Sequence, residues 1–195
     1  MPLIALENIR LIIDQTVVFE DFNAQIQPGL VAVTGDEGVG KTTLLMLLAG
    51  QRALNAGMRV GSPAFFWAYA TSETDNQTPI ERWAQAARVA PAWNQHLCAG
   101  LCSALALDEH RHKGLFMLST GSRRKVDLIA NLASGAEVTC IDQPYVGLDA
   151  PSISVLRGFF EEAREAGKRS QRAWVIADYG ADPHLNWDQT IELTG

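Results

Sequence analysis

A chain of 195 residues with 47% hydrophobic and 19% charged residues can bury the core of one domain plus a smaller lobe, and is too apolar to be disordered. Sixteen Lys+Arg against 22 Asp+Glu leave a formal charge of -6, which gives no overall basic footprint for nucleic acid or an anionic membrane surface. Three cysteines (Cys98, Cys102, Cys140) are too few for a disulfide framework and point to a reducing compartment.

The first residues, Met1 to Glu7, lack the basic and apolar regions of a secretory signal. Residues 3–13 and 16–26 mix aliphatic and polar positions in strand-like runs, with Asp14-Gln15 as the turn. Gln27-Pro28-Gly29 breaks the chain before a buried strand, Leu30-Val31-Ala32-Val33-Thr34, and a glycine-rich loop follows. Residues 41–49 read as a helix stopped by Gly50. Its apolar run, 44–49, is far short of the roughly 20 residues a membrane span needs, so action at a membrane would require a partner chain.

Residues 51–62 carry turn and loop signals, 65–69 read as a strand, and the polar stretch 71–78 as a loop. From 79 to 106 the spacing becomes helical, divided at Pro91, and a third helix is expected over 120–133. Val138-Thr139-Cys140-Ile141 is a strand ending in Asp142; 151–166 is a helix; 173–177 and 189–193 are strands. Strands alternating with helices predict an α/β core, with the all-helical middle over about 76–133 as a separate lobe.

Gly35-Asp36-Glu37-Gly38-Val39-Gly40-Lys41-Thr42 matches G-x-x-x-x-G-K-[ST], with Thr43 following. Glycines let successive backbone N–H groups face one anion, and the helix N-terminus adds its positive dipole end. Lys41 would reach the β- and γ-phosphates, and the Thr42 hydroxyl would take Mg²⁺. This loop between a buried strand and a helix specifies a nucleoside triphosphate.

Three further stretches resemble the ATP-binding cassette (ABC) ATPases. Leu118-Ser119-Thr120-Gly121-Ser122 is similar to their L-S-G-G-Q signature, with Thr and Ser at the third and fifth places. Val138 to Pro144 resembles the Walker B strand, whose usual ending is D-E-P, and Gly147-Leu148-Asp149 resembles the D-loop. The resemblance covers nearly the whole chain and implies one domain over residues 1–195, an α/β P-loop core with a mainly parallel sheet, a reduced N-terminal antiparallel lobe and an inserted helical lobe over about 76–133; the P-loop it shares implies ATP as ligand. It also implies that Asp142 holds Mg²⁺ with Thr42, that Ser119 and Gly121 close the ATP of a second cassette, and that Asp149 links the two sites. The compact length, Phe19-Glu20-Asp21-Phe22 and the absence of an aromatic near Ile12-Ile13 to stack on adenine resemble, in particular, the haem-exporter cassettes of cytochrome c maturation.

Several positions depart from that pattern. The water-activating glutamate is replaced by Gln143, which can orient a water but cannot accept its proton. Asp178 stands where a switch histidine normally meets the γ-phosphate, with His184 six residues on as a substitute. No glutamine stands near Ala70, where the Q-loop residue belongs, and Gln77 is the nearest candidate. The segment from Lys41 to Tyr69 is shorter than usual by roughly a dozen residues.

His96, Cys98 and Cys102 could be considered as zinc ligands, but no fourth ligand has suitable spacing and small core residues explain the cysteines better. His110-Arg111-His112-Lys113 and Arg123-Arg124-Lys125 form a basic cluster, either a solvated surface or charge that steers ATP or a partner. Trp67, Trp83, Trp93, Trp174 and Trp187 are read mainly as core, and an exposed tryptophan among those of the helical lobe would anchor a partner.

The resemblance implies an ATP-binding subunit, with ATP and Mg²⁺ as cofactors, that energises a separate membrane-spanning subunit by ATP-driven dimerisation. The dimer is with itself or another cassette, at the cytoplasmic face of the membrane, without direct insertion and without nucleic acid. The catalytic candidates are Gln143, Lys41 and Asp178. The alternative is a slow or non-hydrolysing module that uses ATP as a dimerising ligand; a soluble DNA-repair or translation cassette would need a coiled-coil insertion or a tandem copy, neither of which is present.

Overall fold

The computed structural model describes residues 1–69, 74 and 76–194. Residues 71–73 and 75 of the polar stretch expected as a loop over 71–78, and the Q-loop position at Ala70, lie outside the described residues. The chain divides into two compact units, one of Met1–Phe66, Glu137–Gln143 and Phe160–Gly195, the other of Trp67–Ala136 and Pro144–Phe159.

In the first unit, β1 (Ile4–Ile13) and β2 (Thr16–Ile26) form an antiparallel hairpin whose turn residues, Asp14 and Gln15, both have positive φ, 47° and 68°. Between the pairs Leu11–Phe19 and Ile9–Phe22, β2 carries one residue more than β1. This bulge includes Asp21 at φ 49°, and the extra residue brings Phe19 and Phe22 onto one face, where their rings stack at 4.9 Å.

On the other side of β1 lies β4 (Ala56–Gly61), where the sequence had predicted only turn and loop. Two glycines and three exposed polar or aliphatic positions conceal this edge strand from hydrophobic periodicity, because pairing to β1 rather than burial creates it. Gly61 cannot be replaced: a Cβ there would stand 2.1 Å from the Leu3 carbonyl oxygen.

The second sheet is wholly parallel, in the order β5–β6–β7–β3–β8. Its members are β5 (Ala64–Phe66), β6 (Val138–Asp142), β7 (Ala173–Ala177), β3 (Gly29–Thr34) and β8 (Gln189–Glu192). β5 ends at Phe66, short of the expected 65–69 strand, because the Trp67 backbone is bonded on both its N–H and C=O by the Asn131 amide, at 2.7 and 2.9 Å. Val31, Val33, Val138, Cys140 and Val175 pack with the apolar face of α1 (Lys41–Leu48), whose Leu44, Leu45, Leu47 and Leu48 are at most 1% exposed.

The second unit contains α2 (Pro79–Val89), α3 (Gln95–Ala104) and α4 (Thr120–Leu132), with the two short 3-10 turns Asp108–His110 and Leu115–Met117 between them. Thr78 and Glu81 form a reciprocal capping box with Pro79 in the first turn, and Asn94 caps α3. The last helix, α5 (Ala150–Ser170), is longer than expected by four residues at its C-terminal end, and its residues divide between the units at 159/160. No described helix is long and apolar enough to cross a membrane.

Candidate functional site

Parallel β-sheets gather the residues that follow their strands at one edge, where ligands bind. Val33 and Asp142 both pair in register with Ala177, so β3, β7 and β6 end level with one another. From these three ends come the glycine-rich loop, residues 178–179 and Gln143.

The loop turns on Gly35, Gly38 and Gly40, at φ 144°, 82° and 100°, a region L side chains rarely adopt. Space adds a second reason at Gly35, where a Cβ would lie 2.4 Å from the Leu193 carbonyl oxygen. Gly40 is the N-cap of α1 and supplies no side-chain cap, leaving the first-turn N–H groups to an incoming anion.

Lys41 is 6% exposed, and its ammonium donates to the carbonyl oxygens of Gly35 at 2.7 Å and Asp36 at 2.6 Å. The Thr42 hydroxyl donates to Asp142 Oδ2 at 2.6 Å, across 100 residues of sequence. A hydroxyl and a carboxylate converging beside an uncapped helix end form the hard-oxygen donor set that fits Mg²⁺ with a phosphate chain.

A cavity of about 340 Å³ is lined by residues 37, 38 and 40–43 together with Gln143 and Tyr179. Gln143 has φ 43°, and its N–H donates to the Ala177 carbonyl at 2.7 Å, which fixes the residue at the strand end. The Asp178 carboxylate turns back to accept from the Tyr179 N–H at 2.8 Å. The side chain lining the cavity from this loop is Tyr179, which the sequence reading passed over. No local pattern marks it: Tyr179 stands two residues after β7, and the place of that strand between β3 and β6 is set by sheet order.

The signature-like residues stand in the second unit. Ser119 caps α4, accepting from the Ser122 N–H at 3.1 Å, and is itself exposed. No acidic residue stands in the first turn of α4, so its positive end is uncompensated by side chains. Gly121 admits no side chain: a Cβ would lie 2.4 Å from the Gly147 carbonyl oxygen. Asp149 is occupied within its own chain, accepting from the Ser152 N–H at 2.8 Å and from the Lys125 ammonium at 2.9 Å. The Ser152 and Lys125 bonds hold its carboxyl well below the ordinary aspartate range.

Among the described residues no group of three or more His, Cys, Asp or Glu could hold a metal. Cys98 and Cys102 are buried, His96 is exposed, and burial pushes the Cys98 thiol up to about 12. In the basic cluster Arg111 pairs with Asp108 and donates to Cys102 Sγ at 3.3 Å, while Arg124 stacks on Tyr69 at 3.8 Å. Trp83 and Trp174 are core; Trp67, Trp93 and Trp187 are half-buried. Gln77 donates its N–H to Thr74 and accepts from the Leu115 N–H at 2.8 Å, so its backbone closes a loop of the second unit.

A family model described as ABC transporter matches residues 19–146. The cytochrome c biogenesis ATP-binding export protein CcmA of Zymomonas mobilis is 31% identical over 174 residues, covering 84% of this chain and 76% of that protein. Its counterpart in Sphingopyxis alaskensis is 29% identical, covering 79% and 80%. Among solved structures, an ABC transporter ATP-binding protein from Pyrococcus furiosus superposes with TM-score 0.75 over 97% of this chain and 96% of that one, at 20% identity, a likeness of fold.

Proposed function

The chain belongs to the ABC transporter family as an ATP-binding subunit, and from that premise we propose that it binds MgATP at the 35–43 loop and powers a separate membrane-spanning subunit through ATP-driven pairing of two cassettes. The observation that carries this reading is the 2.6 Å hydrogen bond from Thr42 to Asp142 beside Lys41. It brings the phosphate loop and the end of β6 together as the donor pair that a magnesium-triphosphate site needs.

Each residue then has a chemical task. The N–H groups of residues 38–43 cradle the phosphates, and Lys41 leaves its two loop carbonyls to neutralise the distal oxygens. Thr42 and Asp142 hold Mg²⁺, which when bound offsets charge on the β- and γ-phosphates. Gln143 orients a water by hydrogen bonding. Ser119 and Gly121, at the end of α4, meet the γ-phosphate held by the second cassette.

The relatives named as cytochrome c biogenesis ATP-binding export proteins support export as the direction; the place of action in this reading is the cytoplasmic face of the membrane, reached through the membrane partner. A groove on the second unit lined by Ile80, Trp83, Ala87, Trp93 and Arg111 supplies the apolar surface for that partner. The formal charge of -6 supports a role without nucleic acid.

A second reading is favoured by Gln143 itself, a neutral amide in the cavity where a proton acceptor would speed hydrolysis. In it ATP is a dimerising ligand that turns over slowly or not at all. Steady-state ATP turnover of the wild type beside Gln143→Glu and Lys41→Ala separates the two. Wild-type turnover well above Lys41→Ala, with little gained in Gln143→Glu, supports the motor. A wild type as silent as Lys41→Ala, with activity awakened in Gln143→Glu, supports the switch.

A further inference from the structure

We propose that Arg59 is a positioning residue of the phosphate site: reaching from β4, it caps the C-terminal end of α1 and so holds the first turn of that helix in the form that binds nucleotide. This deepens the ATP-binding reading above and rests on it. Alternation along β4 separates Arg59 from its neighbours, since Met58 and Val60 are 53% and 50% exposed while Arg59 is half-buried. Its guanidinium donates through Nε to the Leu48 carbonyl at 2.8 Å and through Nη2 to the Ser62 carbonyl at 2.6 Å.

The last carbonyls of a helix must find partners beyond its own N–H ladder. The chain that follows α1 supplies three of them: Leu45 accepts from the Ala49 N–H at 3.0 Å, Met46 from Gln51 at 2.8 Å and Leu47 from Gly50 at 3.0 Å. Leu48, a fully buried residue, takes its bond from Arg59 instead. α1 has no basic residue in its own last turn, so the charge that compensates the negative end of its dipole comes from β4.

The consequence is felt at the other end of the helix. α1 has eight residues, and a helix so short keeps its shape by tertiary contacts rather than by its own propensity. Its first turn has no side-chain cap and offers its N–H groups, with Lys41, to the phosphates. Without Arg59 a buried carbonyl is stranded and the last turn opens. With so few residues between the two ends, the first turn opens with it. Nucleotide binds only the ordered helix, so the apparent affinity falls with the ordered fraction.

Calorimetric titration of the full chain with Mg-AMPPNP, a non-hydrolysable triphosphate, tests this in the wild type, Arg59→Met, Arg59→Lys and Lys41→Ala, beside hydrogen exchange read residue by residue. Arg59→Met is expected to bind about tenfold more weakly than the wild type, with Arg59→Lys, which keeps a cation at the helix end, between them. In Arg59→Met without nucleotide the amides of α1 should exchange faster than in the wild type while those of β3 and β7 do not, and Mg-AMPPNP should restore their protection. Wild-type affinity in Arg59→Met overturns the proposal, as does an Arg59→Lys that binds no tighter than Arg59→Met. Exchange that quickens evenly across α1, β3 and β7 also overturns it, because Arg59 would then support the fold at large. A wild type that binds no better than Lys41→Ala overturns the ATP-site reading and this proposal together.

Discussion

Asp149 shows how one side chain's geometry becomes a pH dependence. It caps α5 through the Ser152 N–H and pairs with Lys125, and both contacts favour the ionised form. A carboxyl whose pKa is depressed on folding adds stability above its ordinary value of 3.8, and loses it as pH falls below that value. Asp149→Asn should therefore melt below the wild type at neutral pH, and the gap between the two Tm values should close on acidification below about pH 4. A gap that stays constant into acid would show that the charge of Asp149 contributes nothing. The thiols sit at the opposite extreme: Cys140 is fully buried, and desolvation pushes it up to about 12, which leaves it a small apolar side chain of β6.

Between elements, the tie of α2 to α4 is polar as well as apolar. Arg82, 6% exposed, donates to Asp127 at 2.8 Å and to the Ala68 carbonyl at 2.7 Å, and stacks on the Trp67 ring at 4.6 Å. Asp127 is 1% exposed and also accepts from the Trp67 indole at 3.2 Å. Arg82→Ala removes the cation that compensates a buried carboxylate, and urea unfolding should register a loss of about 3–5 kcal/mol. The double variant Arg82→Met, Asp127→Leu should recover most of it, since no charge is then stranded. A double variant as unstable as the single one would mean that packing, not charge, is lost. None of this network was legible in the sequence, because Arg82 and Asp127 are 45 residues apart and each reads alone as a surface residue. The helices themselves were legible to within a few residues. Thr78-Pro79 and Asn94 mark their starts, and Pro91 separates two of them.

At the scale of the whole molecule, the reading under test is that two chains close on MgATP. Light scattering on the wild type should report a monomer without nucleotide and a concentration-dependent dimer with MgATP. Ser119→Arg, which puts bulk and charge at the exposed end of α4, should stay monomeric while still binding nucleotide. A dimer that forms equally in Ser119→Arg would sink the role given to that helix end.

The sequence by itself determined the strands and helices whose hydrophobic period or capping is local. It also determined the phosphate loop, since its glycines, lysine and threonine are contiguous and their spacing is the chemistry. Only the tertiary structure decided what depends on partners distant along the chain. β4 exists because β1 offers it an edge, and β5 stops at Phe66 where Asn131 holds the next residue. The bond from Thr42 to Asp142, and the choice of Tyr179 rather than Asp178 as the side chain over Lys41, follow from strand order: β7 lies between β3 and β6, and no local pattern encodes that.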